Sequence, residues 1–454
     1  MQHDKRMAMH SSRAESGPVR RKRWLKAAMA LFGLSLSTNV VYAFIVGSTC
    51  VYIGYVFALI LCGYLFFSDR SKGGAKLDLV DGSIWVFVAV ACLSIFPATI
   101  YAFSAQLPLE TPLVVMRGLV VLLCGVAVYY AVVRLADYSK YVVIGMAIGI
   151  VVNGFVSLLQ MIAYNSGSFF TLYYLFPQSS FSVSADWSIW GTLPEGADGL
   201  PTFRAQGLFL EASHLMVFLA CLAPVAFVSL RSIVAKTGVL IATMFCCITS
   251  LSPNVLFILV ASTWLLLSYL NRSNSKELRL RRGWVLVAIV AVFVLACVVV
   301  LHLDFIASAF SSVISSIADL NVFTSSDTGT MDRWESMLKA LSACMQYPLG
   351  AGWNTESIVL AYEVGEVASH SYLIRLLLEV GIIGVIAYFA LIARHCKALL
   401  SRNSNIEDLA VGVAVLILLV CQATNGMTLV PWTWALMGLS SIATKRIERG
   451  HRNE

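Results

Sequence analysis

The chain has 454 residues, 59% of them hydrophobic and only 13% charged. A soluble domain carries about 25% charged residues, so the composition excludes an ordinary soluble enzyme and points to lipid as the solvent. The net charge of +7 does not argue for nucleic acid, because the basic residues sit in short connections between apolar runs, where they set membrane orientation.

A spanning helix needs roughly 20 apolar residues, and the sequence predicts about twelve, giving an all-α, polytopic integral membrane protein. A basic tail, 1–26, comes first, and without a small-residue cleavage site the first helix is expected to be retained. Helices expected at 27–46, 49–67, 83–103, 113–133 and 141–163 form a first block over 27–163. An aromatic-, Ser- and Gly-rich loop follows over 164–211. Helices at 212–230, 237–251, 254–270 and 285–303 form a second block over 212–303, and Ser252-Pro253 leaves a kinked or re-entrant element open within it.

A long loop over 304–369 holds "MDRWESMLKALSACM". Met331, Trp334, Met337, Leu338 and Leu341 recur there at helical spacing behind the start signals of "SSDTGT". They predict an amphipathic helix over the membrane face. Helices at 370–393, 408–425 and 431–444 form the last block, 370–444, before a tail at 445–454.

With the N-terminus in the cytoplasm and strict alternation, 27 of the 32 Lys and Arg fall on the cytoplasmic side. That is the positive-inside pattern, and an odd helix count would strand the basic C-terminal tail on the wrong side. Arg117, Arg204, Arg333, Lys339 and Arg375 alone stand outside or at outer helix ends. The two long loops are then both outer, and connections beyond about 12–15 residues are usually functional or disordered. Most of the eleven cysteines lie inside apolar runs as small buried hydrophobes, and no paired spacing supports a disulfide framework or a metal site.

No Walker A run, Gly-rich dinucleotide turn, zinc-type histidine pair or G-x-S-x-G elbow is present. Chemistry therefore rests on three outer constellations. "RAQGLFLEASH" holds Arg204, Glu211 and His214; Arg333 precedes "QYPLGAGWN"; and "ASHSYLIRLLLEVGIIG" holds His370, Arg375 and Glu379. A guanidinium grips phosphate oxygens in a fork, and a histidine at an outer helix end can exchange a proton near neutral pH. Two arginines and a histidine thus suit a diphosphate leaving group and a hydroxyl nucleophile. Plain structural readings stand beside this one. Arg204 can snorkel to head groups, Arg333 can pair with Asp332 or Glu335, His370 can cap a helix, and Arg375 can pair with Glu379 four residues on. Arg117 also reads mainly as structural.

These segments resemble the family of bacterial O-antigen polymerases and O-antigen ligases. "RAQGLFLEASH" is similar to the R-x-x-G-x-x-x-E-P-S-H run of exopolysaccharide polymerases. "DRWESMLKALSACMQYPLGAGWN" resembles an Arg-Trp helix leading to P-L-G-x-G, and "SHSYLIRLLLEVGIIG" a histidine opening a helix with E-x-G-x-x-G. The resemblance spans roughly residues 200 to 390.

It implies a metal-independent, inverting glycosyltransferase of the GT-C type in the bacterial inner membrane, with no cofactor and its site facing the periplasm. The donor would be an undecaprenyl-diphosphate-linked oligosaccharide held among membrane lipid, and a chain-length regulator is a further implied partner. Arg204 and Arg333 would bind the diphosphate. His370 and Glu211 would be catalytic, with Arg117, His214, Arg375 and Glu379 supporting them. Ala212 replaces the proline of E-P-S-H, His370-Ser371 replaces the His-Asn of ligases, and "LSPN" stands where ligases often carry Ser-Arg. These departures lean toward a polymerase, whose acceptor is a lipid-linked repeat unit, over a ligase acting on lipid A core. A lipid-linked oligosaccharide flippase or a secondary transporter would share the composition. The first would spread charges along many helices, and the second would show two similar halves; neither feature is seen.

Overall fold

The computed structural model describes residues 23–46, 49–69, 80–166, 204–250, 252, 254–272, 328–366, 368–400, 404–426 and 428–452. The expected helix at 285–303 and the loop stretches 167–203 and 304–327 lie outside the described residues.

Helix α1 covers 23–35, and a hairpin of β1 (Tyr42–Val46) and β2 (Thr49–Tyr52) leads into α2 (Ile53–Asp69). Then come α3 (Gly82–Leu93), α4 (Ile95–Phe103), α5 (Thr111–Arg134) and α6 (Ser139–Asn165). The middle of the chain gives α7 (Ala212–Ser229), α8 (Ile233–Ser250) and α9 (Val255–Arg272). The last elements are α10 (Thr328–Gln346), α11 (Glu356–Glu363), α12 (Tyr372–His395), α13 (Lys397–Leu400), α14 (Ile406–Thr424) and α15 (Pro431–Arg452). Among the described residues, seven helical stretches are long and apolar enough to cross a membrane, from Gly82–Phe103 to Ile406–Ala423, with Ile53–Ser68 and Val255–Leu265 as shorter apolar helices.

The helix expected at 27–46 is cut short. After residue 35 the run Ser35-Leu36-Ser37-Thr38-Asn39 offers side chains that compete for the backbone. Ser35 Oγ donates to Phe32 O (2.7 Å), and Val40 N donates to Thr38 Oγ1 (3.3 Å). The β-branched and aromatic residues that follow pair as an antiparallel hairpin, Ile45 opposite Cys50 and Val46 opposite Thr49. Among the described residues the fold is thus helical throughout apart from this short hairpin.

Helix α7 sits at the centre of the bundle. Leu215 through Cys221 are all fully buried, which is why this helix is apolar on every face. It packs on α6, α8, α9 and α14, while α15 packs on α5 and α12 on α3. Small residues let α1 meet α6 backbone to backbone. A β-carbon on Gly33 would lie 2.1 Å from Val142 O, and one on Gly145 2.0 Å from Ala30 O.

One end of the bundle is tied by ion pairs: Arg394–Asp81 (3.0 Å), Lys397–Glu448 (2.8 Å) and Arg446–Asp408 (3.1 Å). Burial pushes the Asp81 carboxyl up, but its bonds from Ser83 and Arg394 outweigh that and hold it below its usual range. The opposite end carries the segments singled out in the sequence.

Helix α10 forms where the apolar spacing predicts it, and it packs on the protein by its small residues. Its small residues Ala340, Ala343 and Cys344 are buried, joining residues of α12 in a second core cluster, whereas Leu338, Leu341 and Met345 point outward. Small side chains allow the close helix contact, and the larger ones remain for lipid or solvent.

Candidate functional site

Two pieces of irregular backbone are built into the end opposite the basic one. Irregular backbone at membrane depth persists only where its N–H and C=O groups find partners in the protein.

The first piece is the strap from Arg204 to Glu211. It starts on the last turn of α8, whose terminal carbonyls have no intrahelical donors. Ala205 N donates to Thr249 O (2.9 Å) and Arg204 Nε to Ser250 O (2.9 Å). Three amide side chains then hold it. Gln160 Oε1 accepts from Gln206 N (3.2 Å) and Gly207 N (3.0 Å). Asn153 Oδ1 accepts from Leu208 N (2.8 Å), and Asn39 Oδ1 from Leu210 N (2.8 Å). Gly207 is required where it stands. Its φ is +56°, and a β-carbon there would come within 2.6 Å of Asn153 Oδ1. Phe209 is fully buried against Phe218, with ring centroids 5.0 Å apart. The strap ends at Glu211, the N-cap position of α7, which is exposed and accepts from Ser213 Oγ (2.8 Å).

The second piece is a clasp between residues 348–356 and α12. Gly381 has φ 65° and ψ −172°, which breaks α12 in mid-span. The carbonyls freed by the break are taken by the loop: Ala351 N donates to Leu378 O (2.8 Å) and Gly352 N to Glu379 O (2.9 Å). Trp353 N donates to Ser94 Oγ (2.9 Å), at the joint between α3 and α4.

The clasp encloses a charged group. Arg375 Nη1 lies 3.1 Å from Glu356 Oε2 and its Nε 2.9 Å from Glu379 Oε1, while Nη2 donates to Asn354 Oδ1 (3.1 Å). Glu379 is fully buried, and Arg375 is half-buried, its side chain 18% exposed. Two carboxylates thus share one guanidinium, leaving the group one negative charge in excess where ionised. The spacing of four residues fits the expected Arg375–Glu379 pair; Glu356 and Asn354 come from the loop.

His370 stands at the rim of this group with φ 54°, a left-handed conformation uncommon for a residue with a side chain. It is held from both sides. Ser369 N (2.8 Å) and Oγ (2.6 Å) donate to Glu356 Oε1. Ser371 caps α12 through Ile374 N and donates its Oγ to Ala423 O (2.8 Å). Gly426, in the α14–α15 turn, lies against the His370 backbone, so a β-carbon there would be 3.6 Å from its Cα. Strain held by surrounding bonds is found most often at functional positions.

The structure therefore places Arg204 and Glu211 on the strap, His214 on the first turn of α7 directly after it, and His370, Arg375 and Glu379 at the clasp, at one end of the bundle. Arg117 on α5 precedes Gly118, which packs against Asn354. Arg333 belongs to α10, and its side chain lies outside the described residues. Among the described residues no group of three or more His, Cys, Asp or Glu could hold a metal ion. Sequence reasoning missed Asn39, Asn153, Gln160 and Glu356. The amides had a visible signal, being polar groups inside or beside apolar runs, where each is costly unless bonded.

This arrangement defines a multi-pass helical membrane protein with two motif-bearing segments built into one end of its bundle. Residues 237–389, from α8 through most of α12, match the family model described as O-antigen ligase. The resemblance read from the motifs is therefore shown over a stretch that contains Arg333, Glu356, His370, Arg375 and Glu379, while the strap with Arg204 precedes it. No curated protein matches the chain.

Proposed function

We propose that the protein is a polymerase of bacterial surface polysaccharide. It transfers glycan from an undecaprenyl-diphosphate carrier to the sugar hydroxyl of a second lipid-linked repeat unit at the periplasmic face of the inner membrane. The observation that carries this reading is the placement of the strap and the clasp at the same end of the bundle, opposite the basic end, inside a chain whose residues 237–389 carry the O-antigen ligase family domain. Arg204 and Arg333 supply guanidinium groups for the diphosphate, whose departure develops negative charge. His370 takes the proton of the attacking hydroxyl, and Glu211, at the other end of the strap from Arg204, is the second catalytic group. The hydroxyl oxygen bonds to the anomeric carbon as the bond to the diphosphate oxygen breaks, so configuration inverts without metal or nucleotide.

The clasp gives His370 its orientation through Glu356 and Ser369, with Arg375 holding Glu356 in turn. This leaves Arg375 and Glu379 in a supporting role, because their charges are spent on each other. A ligase that delivers glycan to lipid A core is the second reading, favoured by the description of the matching family model. Purified protein in liposomes separates the two. A ladder of products from undecaprenyl-diphosphate oligosaccharide alone, without nucleotide or ion gradient, supports the polymerase. Product only after addition of lipid A core supports the ligase, and no product with either acceptor removes both.

A further inference from the structure

Asn39 and His214 are 175 residues apart in sequence, yet Asn39 Nδ2 lies 3.4 Å from His214 Nδ1. The orientation of the Asn39 amide is fixed independently, because its Oδ1 accepts the Leu210 N–H at 2.8 Å. Its backbone N–H is also engaged, donating to Leu208 O at 3.1 Å. The side chain is 1% exposed, so it is not free to turn over. An amide nitrogen has only hydrogens to offer. His214 Nδ1 must therefore accept, and an imidazole that accepts at Nδ1 carries its proton on Nε2.

We infer that Asn39 is a positioning residue that holds His214 as the neutral Nε2–H tautomer, so that His214 serves the transfer reaction as a hydrogen-bond donor. Proton acceptance is then left to His370. The inference rests on the transfer reaction proposed above for its functional half, while the tautomer itself rests on geometry alone. His214 is half-buried on the first turn of α7, directly after the strap. The strap's charged side chains are Arg204 and Glu211; from α9, Asn254 Nδ2 donates to Ser213 O (3.3 Å) beside it. The ligand contacted by the Nε2–H would be an oxygen of the diphosphate or of the sugar, both acceptors.

Asn39→Asp tests this. Aspartate is isosteric and still accepts from Leu210 N–H, so the strap keeps its bond. Toward His214, however, it presents an acceptor, which draws the proton to Nδ1. In the variant, deprotonation at rising pH then empties Nε2, whereas the wild type keeps Nε2–H throughout.

The readouts are nitrogen NMR of histidine-labelled full-length protein in lipid, with the His214 signal assigned by its loss in His214→Gln, and turnover of lipid-linked oligosaccharide against pH. We expect a protonated Nε2 and bare Nδ1 in the wild type, and a protonated Nδ1 in Asn39→Asp. The activity of Asn39→Asp relative to wild type should fall about tenfold or more between about pH 6.5 and pH 9. A wild-type His214 protonated on Nδ1 would overturn the tautomer. A relative activity that stays constant with pH, despite the switched tautomer, would overturn the positioning role. Absence of turnover in the wild type would instead sink the proposed reaction, and the spectra would still decide the tautomer.

Discussion

Gly350 and Gly381 press backbone against backbone, each with positive φ, +84° and +65°. A β-carbon on Gly350 would lie 2.5 Å from Glu379 O and 2.7 Å from Gly381 N, and one on Gly381 2.7 Å from Pro348 O. Through this contact the break in α12 becomes a socket. The loop can approach closely enough for Ala351 and Gly352 to take the freed carbonyls, and the approach brings Glu356 to Arg375.

Gly350→Ala or Gly381→Ala should cost about 3 kcal/mol, the sum of left-handed strain and overpacking against backbone that cannot yield. Gly365, with φ +72° and nothing within 4 Å of a β-carbon, should lose only about 1 kcal/mol as Ala. Thermal unfolding in detergent measures both. Equal midpoints for Gly350→Ala and Gly365→Ala would show that the clasp is not tight.

Arg375→Ala should destabilise by about 3–5 kcal/mol, because it leaves Glu356 and Glu379 buried without their shared cation. Glu379→Gln should cost less, since it keeps an acceptor for Glu356 N and removes the excess charge. Yield of folded protein and its unfolding midpoint report the order. A milder Arg375→Ala than Glu379→Gln contradicts the geometry.

Arg204→Ala and Arg333→Ala should each lower polymer formation about a hundredfold, near 3 kcal/mol of lost leaving-group stabilisation, at normal membrane levels. Arg204→Lys should rescue poorly, since an ammonium cannot reproduce the guanidinium fork that also bonds Ser250 O through Nε. His370→Ala should be inactive, while His370→Asn retains a trace if the residue also orients the acceptor. Normal polysaccharide ladders from both arginine variants would remove the site assignment.

Lys339 bridges Glu335 (2.8 Å) and Glu366 (2.9 Å), tying α10 to the segment before His370. The hydrogen bond from the Lys339 ammonium holds the Glu366 carboxyl below its ordinary value. A depressed carboxylate contributes stability above its unfolded pKa, about 4.3, and that contribution is lost as pH falls through the folded value. Lys339→Ala should therefore keep its activity and lie slightly below wild type in unfolding midpoint at pH 7, with the gap closing below about pH 4. A gap that widens on acidification would contradict the pairing.

Reporter fusions at Arg402 and Asn453 should read cytoplasmic, and one at Ser326 periplasmic. The ion pairs Arg394–Asp81, Lys397–Glu448 and Arg446–Asp408 gather at one end of the bundle, as 27 of 32 basic residues on one side require. A periplasmic reading at Asn453 would mean an odd number of spans.

Hydropathy and short-range spacing determined the membrane class, most of the helices, the α10 helix and the Arg375–Glu379 pair. Each of these depends on residues within a few turns of one another, so it is legible along the chain. The face by which α10 packs on the protein is not legible in the sequence, because apolar spacing locates a greasy stripe but does not say whether protein or lipid receives it. The end of α1 at residue 35 was missed for a similar reason, since an apolar average hides the pull of Ser35, Ser37 and Thr38 on the backbone. Only the tertiary structure decided that Asn39, Asn153 and Gln160 hold the strap, that Glu356 reaches Arg375, and that Gly381 breaks α12. These are bonds from side chains and loops to backbone groups many residues away. A buried carbonyl or N–H must find some partner, but which partner it finds is fixed by where the folded helices bring the chain.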